Sequence, residues 1–313
     1  MSKSLPAPRA RRYTWLALPI VLGIGSVASA APTKSFSAAV ASLPADTETL
    51  ASSNVKAARA TELWKTLFPE LLKMERDIPD AIDKVKKGCS IDLVTSVDDI
   101  TMGVNSKDAG AVFISVAGVT ETKLQECLQK IAKSEGETIT IKKAGAITEV
   151  KSDKSKKSLF YSWQAGDVLV IAIEPDDKDM LERALGGKGG LARGKLAGRI
   201  TKASSENALT VVTAKSKQIE KKTIKGGDLS LAVSAGSVSV IANAEMASAS
   251  EADDVVKLAK LVTSLIPKDA PKELERIAKT LTVSSTGAEV RASAVASERD
   301  IISLIQQALK RKK

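Results

Sequence analysis

Residues 157–187 read KSLFYSWQAGDVLVIAIEPDDKDMLERALGG and contain one whole folding unit. Residues 159–163 are short, aromatic and apolar, and 168–173 are an unbroken aliphatic run, the composition of strands buried on at least one face. Between them, Gly166 supplies the positive φ that a tight reversal needs, so the two runs form a hairpin. Glu174-Pro175-Asp176-Asp177 then opens a helix. Proline lacks the amide hydrogen that would be orphaned there, and the carboxylates meet the positive end of the helix dipole. Met180, Leu181, Ala184 and Leu185 follow at helical spacing, and Gly186-Gly187 stop the helix.

The same outline of strand, turn, strand and helix recurs three more times. Residues 99–105 and 109–119 precede a helix over 122–132; 229–234 and 237–244 precede one over 251–266; 281–285 and 288–296 precede one over 298–310. In the last unit Val290, Ala292 and Ala294 alternate with Glu289, Arg291 and Ser293, so one sheet face is buried and the other partly wet. Ser297 and Asp300 are spaced like the ends of a capping box. Outside the units, 56–74 reads as an amphipathic helix interrupted near Pro69, 78–86 as a short helix ended by Gly88, 137–141 with 145–150 as an extra hairpin, and 208–214 as a further strand. Hairpins followed by helices imply an α+β fold of repeated ββα units, with antiparallel sheet or sheets and the helices packed on one face.

The first 30 residues stand apart. Lys3, Arg9, Arg11 and Arg12 precede an apolar run over 15–24, and Ala28-Ser29-Ala30 has the small residues a signal peptidase requires, so cleavage is expected after Ala30. The alternative is an uncleaved anchor, although Pro19, Gly23 and Gly25 break a short apolar core. Either way the chain is expected in the periplasm or secreted. Residues 31–44, rich in Ala and Ser, read as a flexible spacer, and 45–313 as the α+β region, divisible into 45–157 and 158–313. Losing the leader's four positive charges lowers the formal net charge of +10 to a mildly basic value. Cys89 and Cys127 are the only cysteines, and in an oxidising compartment an even pair is most simply a disulfide. The alternative is two buried thiols, because Cys127 shares a helical face with Leu124, Leu128 and Ile131.

The chain contains no histidine, which excludes Ser-His-Asp and Cys-His nucleophiles and histidine-ligated zinc. Residues 189–195 have phosphate-loop spacing, yet Leu196 stands where Ser or Thr would hold magnesium, so the segment reads as a linker. Ser53-Asn54-Val55-Lys56 matches S-x-x-K without the companion motifs of penicillin-binding enzymes and reads as a helix entry. Glu174, Asp176, Asp177 and Asp179 have oxygen ligands for calcium but lack the EF-hand glycine and distal glutamate. Lysines at 151, 154, 156, 157, 215, 217, 221, 222 and 225 are weighed as a polyanion patch and read as solubilising, with no nucleic-acid partner. No cofactor or metal is called for.

With Cys89-Ser90-Ile91-Asp92 leading into Ser96-Val97-Asp98-Asp99-Ile100, then Lys123-Leu124-Gln125-Glu126-Cys127-Leu128 and Asp167-Val168-Leu169-Val170-Ile171-Ala172, the chain resembles a group of uncharacterised secreted proteins of myxobacteria and related bacteria. The resemblance runs from about Pro44 to the C-terminus. It implies pairing of Cys89 with Cys127 and an envelope location, and it brings no catalytic residue with it. Ser90 departs from the glycine usual after the first cysteine.

The reading is therefore a non-catalytic envelope protein that binds or scaffolds. One alternative is a carrier holding a lipid or other apolar ligand between sheet and helices, and another is a hydrolase using carboxylates alone. The aromatic strand residues Phe160, Tyr161 and Trp163, unmatched in the other units, are the candidate ligand or partner surface. Partners are an envelope protein or an apolar ligand, with weak contact to an anionic membrane surface through Lys310, Arg311, Lys312 and Lys313.

Overall fold

A computed structural model describes residues 32–74, 77–201, 203, 207–219, 222–234, 236–264 and 270–310. The expected leader and Arg311, Lys312 and Lys313 lie outside the described residues, as does the side chain of Lys310. The chain opens with α1 (Lys34–Ser42), β1 (Thr49–Ser53), α2 (Val55–Arg59), α3 (Glu62–Met74), α4 (Asp77–Cys89) and α5 (Leu93–Ser96). The hairpin β2 (Val97–Val104) and β3 (Gly110–Val116) leads to α6 (Glu121–Ser134). Then come β4 (Ile139–Ala144), β5 (Ile147–Ser152), β6 (Ser158–Gln164), β7 (Val168–Ala172) and α7 (Lys178–Leu185). A 3-10 turn (Gly190–Arg193) and α8 (Ala197–Ile200) connect to β8 (Leu209–Thr213), β9 (Lys217–Ile219), β10 (Lys222–Ser234) and β11 (Ser237–Met246). The chain closes with α9 (Ala249–Ser264), α10 (Lys272–Thr280), β12 (Thr282–Thr286), β13 (Glu289–Ser297) and α11 (Glu298–Lys310).

The fold is α+β, and the strands form one antiparallel sheet in the order β12-β13-β11-β10-β8-β1-β2-β3-β7-β6-β5-β4, with β9 paired to β10. The sheet runs straight across the 157/158 boundary, because β5 pairs with β6. Its two halves meet at β1, which pairs antiparallel with β2 on one side and β8 on the other.

Helices follow hairpins along the chain, but they do not share a face and so do not build one repeated unit. Phe113 and Val170 are cross-strand partners whose buried cluster includes Phe36 and Ala39 of α1 and Met180, Leu181 and Ala184 of α7. We call this the first face. Ile114, adjacent to Phe113 and therefore pointing the other way, packs with Val116, Trp163, Cys127 and Ile131 under α6 on the second face. In the C-terminal half, α3 and α11 cover Val233 and Val238, and α9 covers Val290 and Ala244, again on the second face. The expectation of helices on one face is thus corrected at α1 and α7: strands flanking the chain's middle are apolar on both sides, so both sides require a cover.

Two other expectations change. The spacer 31–44 contains α1, whose Phe36 and Ala39 are buried; Ser and Ala are there because the helix lies close against the sheet. Asp99 Oδ1 accepts the Ser35 amide at 2.7 Å, and the Ser35 hydroxyl joins Thr101 (2.8 Å), which joins Ser52 (2.9 Å), a buried polar row satisfied within itself. The glycine-rich connection after α7 is packed as well. A Cβ on Gly190 would sit 2.6 Å from the Ala45 nitrogen, and one on Gly194 2.2 Å from the Ala45 oxygen, so these glycines permit backbone contact.

Helix ends are secured by carboxylates remote in sequence. Glu298, in the first turn of α11, is buried and accepts the Leu63 amide at 2.8 Å, capping α3 from across the fold. Ser297 accepts the Asp300 amide at 3.1 Å, one arm of the expected capping box, while the Asp300 carboxylate turns instead to Arg276 of α10. Removing the Glu298 carboxylate leaves a buried amide unpaired, so Glu298→Ala is expected to lower unfolding stability by about 1–3 kcal/mol in urea titration, with Glu298→Gln recovering most of the loss.

Candidate functional site

The aromatic strand divides between two faces. Phe160 lies on the first face against the α1/α7 cluster, while Tyr161 and Trp163 lie on the second beneath α6. Tyr161 is 1% exposed and accepts a hydrogen bond from Gln125 Nε2 at 3.0 Å. Trp163 packs into the cluster around Cys127. The three residues therefore do not form one surface. Their separation follows from strand geometry, since neighbours in a strand point to opposite faces.

Cys89 and Cys127 are joined in a disulfide that ties the end of α4 to α6, with Cα atoms 5.0 Å apart. Closing that loop stabilises the fold by about 3–4 kcal/mol in the chain-entropy model. A cavity of about 280 Å³ lies against it, walled by both cysteines, Ile91 and Val119 and rimmed by Ser90, Lys123, Glu126 and Lys130.

The motif-like stretches have structural duties. Asp177 accepts the Met180 amide at 2.8 Å as the N-cap of α7, and Asp176 pairs with Lys157. The acidic turn forms a wide, shallow dish, and no group of acids suited to a metal occurs among the described residues. Asn54 caps α2 by accepting the Ala57 amide at 3.0 Å; Ser53 is buried and Lys56 exposed, so the S-x-x-K residues point apart. Of the lysines weighed as one patch, Lys157 pairs with Asp176, Lys215 with Asp108 and Lys222 with Asp254, while Lys221 lies outside the described residues. The buried acids have separate partners too: Asp99 and Glu298 cap helices, Glu48 pairs with Lys195, and Asp300 with Arg276.

The surface the sequence reading missed is the first face of the C-terminal half. Register places Ser230 and Ala232 of β10, Ser239 and Ile241 of β11, Ser293 and Val295 of β13 and Thr282 of β12 side by side on it. None of these is buried, whereas Val233, Val238 and Val290 on the opposite face of the same strands are. Val295, beside Thr280 at the end of the platform away from Arg291, is 46% exposed. The platform has no charge in its middle; Asp228, Asn243 and Arg291 stand along one end, with Asn243 Nδ2 donating to Asp228 at 2.7 Å. The signal was present in β10 and β11, where Ser230, Ala232 and Ser239 alternate with Leu231, Val233, Val238 and Val240. A second apolar exposure lies on α9, where Leu258 and Leu261 are 54% and 53% exposed.

Burial raises the Tyr161 phenol above its ordinary value, opposed in part by its hydrogen bonds to Gln125 and Thr148. The folded state thus holds this proton more tightly than the unfolded chain. That contribution is complete below the ordinary tyrosine range near pH 10 and is lost as pH rises through the raised folded value. Absorbance titration at 295 nm, wild type minus Tyr161→Phe, is expected to show a phenol ionising later than a free tyrosine, with the fold weakening over the same interval. An ordinary titration would contradict the burial.

No protein-family model and no curated protein matches the chain. Among solved structures, the chain is similar to crystal form III of the Treponema protein TP0453, at 12% identity and a TM-score of 0.52, over 90% of this chain and 100% of that one. Crystal forms I and IV of the same protein superpose at TM-scores of 0.49 and 0.48 with 13% identity, covering 90% and 88% of this chain and 98% and 97% of theirs. At these identities the likeness is one of fold.

Proposed function

We propose that this chain is a non-catalytic protein of the periplasm or cell exterior that acts by binding or scaffolding, and that a protein partner sits on the bare platform of β10, β11, β13 and β12. The observation that carries the reading is the asymmetry of burial across those strands: helices bury one face, and the other, with no buried side chain among its described platform residues, is small-sided and uncharged at its centre. Flat apolar area rimmed by polar groups is the composition of a partner interface. Beneath α1 and α7 the space between helix and sheet is filled by Phe113, Leu181, Leu191 and Leu196, which favours a partner-binding surface over an internal ligand.

Ser239 and Val295 are cross-strand partners, so Ser239→Lys with Val295→Glu puts a complementary pair on the platform without placing like charges opposite one another. Native mass spectrometry of protein purified from its own cell envelope is expected to show wild type with a bound protein and the double variant without it, at unchanged circular dichroism and melting. Retention of the partner by the variant, or a wild type repeatedly bare, would overturn the reading.

A further inference from the structure

We propose that the cavity beside the disulfide is a thiol-exchange site, which admits a small anionic thiol to Cys89 and releases α4 from the fold when the disulfide opens. The site is independent of the platform, on the other sheet face and in the other half of the chain.

Both cysteines line this cavity, so the bond is reached from solvent through it. The two are unequally covered: Cys127, on α6, is 3% exposed, and Cys89, at the end of α4, is half-buried. An entering thiolate therefore meets the Cys89 sulfur. Its attack forms a new S–S bond to Cys89, breaks the Cys89–Cys127 bond, and leaves the electron pair on Cys127 as a thiolate that water then protonates; the incoming thiol is the sole co-reactant.

The rim favours such a reaction. Lys123 and Lys130 stand four residues before and three after Cys127, on the helical face that carries it. Lys123 Nζ is bonded to the Gly118 carbonyl at 3.1 Å, which fixes it at the cavity mouth without neutralising it. Glu126 removes one charge, and the rim remains net positive. Positive charge there draws an anionic thiol inward and stabilises the departing Cys127 thiolate.

Opening the bond has a defined structural consequence. Apart from the disulfide, α4 lies along α6 with half-buried Ile82 and Val85, Gly88 against Ile131, and exposed ion pairs such as Lys84 with Glu135; none of its described residues is fully buried. Once freed, it withdraws Val85 from the cluster that holds Ile91 and Val119.

The test exposes the folded, oxidised full chain, without denaturant, to 2-mercaptoethanesulfonate or to neutral 2-mercaptoethanol at matched thiolate concentration. Early time points are alkylated and peptide-mapped. The expected result is a mixed disulfide on Cys89 with alkylated Cys127, formed about three- to tenfold faster by the sulfonate at low ionic strength. That advantage should vanish in about 1 M salt and in the Lys123→Gln/Lys130→Gln variant, whose disulfide and melting are unchanged. Equal rates for the two thiols in wild type, an adduct on Cys127, or reaction only after denaturation would each overturn the proposal.

Discussion

Everything in this fold depends on the double pairing of β1. Five residues, Thr49–Ser53, are bonded antiparallel to β2 along one edge and to β8, some 160 positions further on, along the other. Without that strand the sheet would end in two unprotected edges in the middle of the molecule. Its side chains suit the position: Leu50 and Ser52 are buried on the first face, the serine joined to Thr101 and through it to Ser35 of α1. The buried hydroxyls are therefore a fastening between helix and sheet, satisfied in place of water.

From that seam the two halves diverge in how they are covered. Near β3 and β7 both faces are apolar, and α1 and α7 on one side and α6 on the other bury them. Beyond β8 the first-face positions are mostly serine, alanine and threonine, with Ile241 and Val295 among them, and the described helices that pack on these strands do so on the second face. Arg199 of α8, ion-paired with Glu245 at the end of β11, marks the boundary where the first-face cover stops. The bare platform is thus a product of side-chain size: small residues provide too little apolar area to retain a helix.

The sequence made the local units legible, because hairpin turns, proline entries and glycine stops are written within about 30 residues of one another. The α7 unit is legible in its order of strand, turn, strand and helix, but the helix starts at Lys178 with Asp177 as its cap, later than the Pro175 entry the sequence suggests. What was not legible is set by distance. That α7 lies opposite α6 depends on which neighbours β6 and β7 acquire, and the aromatic strand looked like a single surface until its pairing divided Phe160 from Tyr161 and Trp163. The glycines at 190 and 194 read as a linker because their partner, the backbone at Ala45, is some 145 residues away. Likewise Glu298 is only the first residue of the helix read over 298–310, and its duty as the cap of α3 requires the folded chain. The platform was within reach, since the alternation in β13 predicts a wet face; the step missed was that β10 and β11 alternate in the same phase.

The central claim is a single sheet seamed at β1, and native-state hydrogen exchange tests it most directly. The ladder amides of β1 and β8 should exchange only through global unfolding, with protection equal to that of the β3 and β7 core. Fast exchange at the β1–β8 seam, with the two halves opening at independent free energies, would contradict the account.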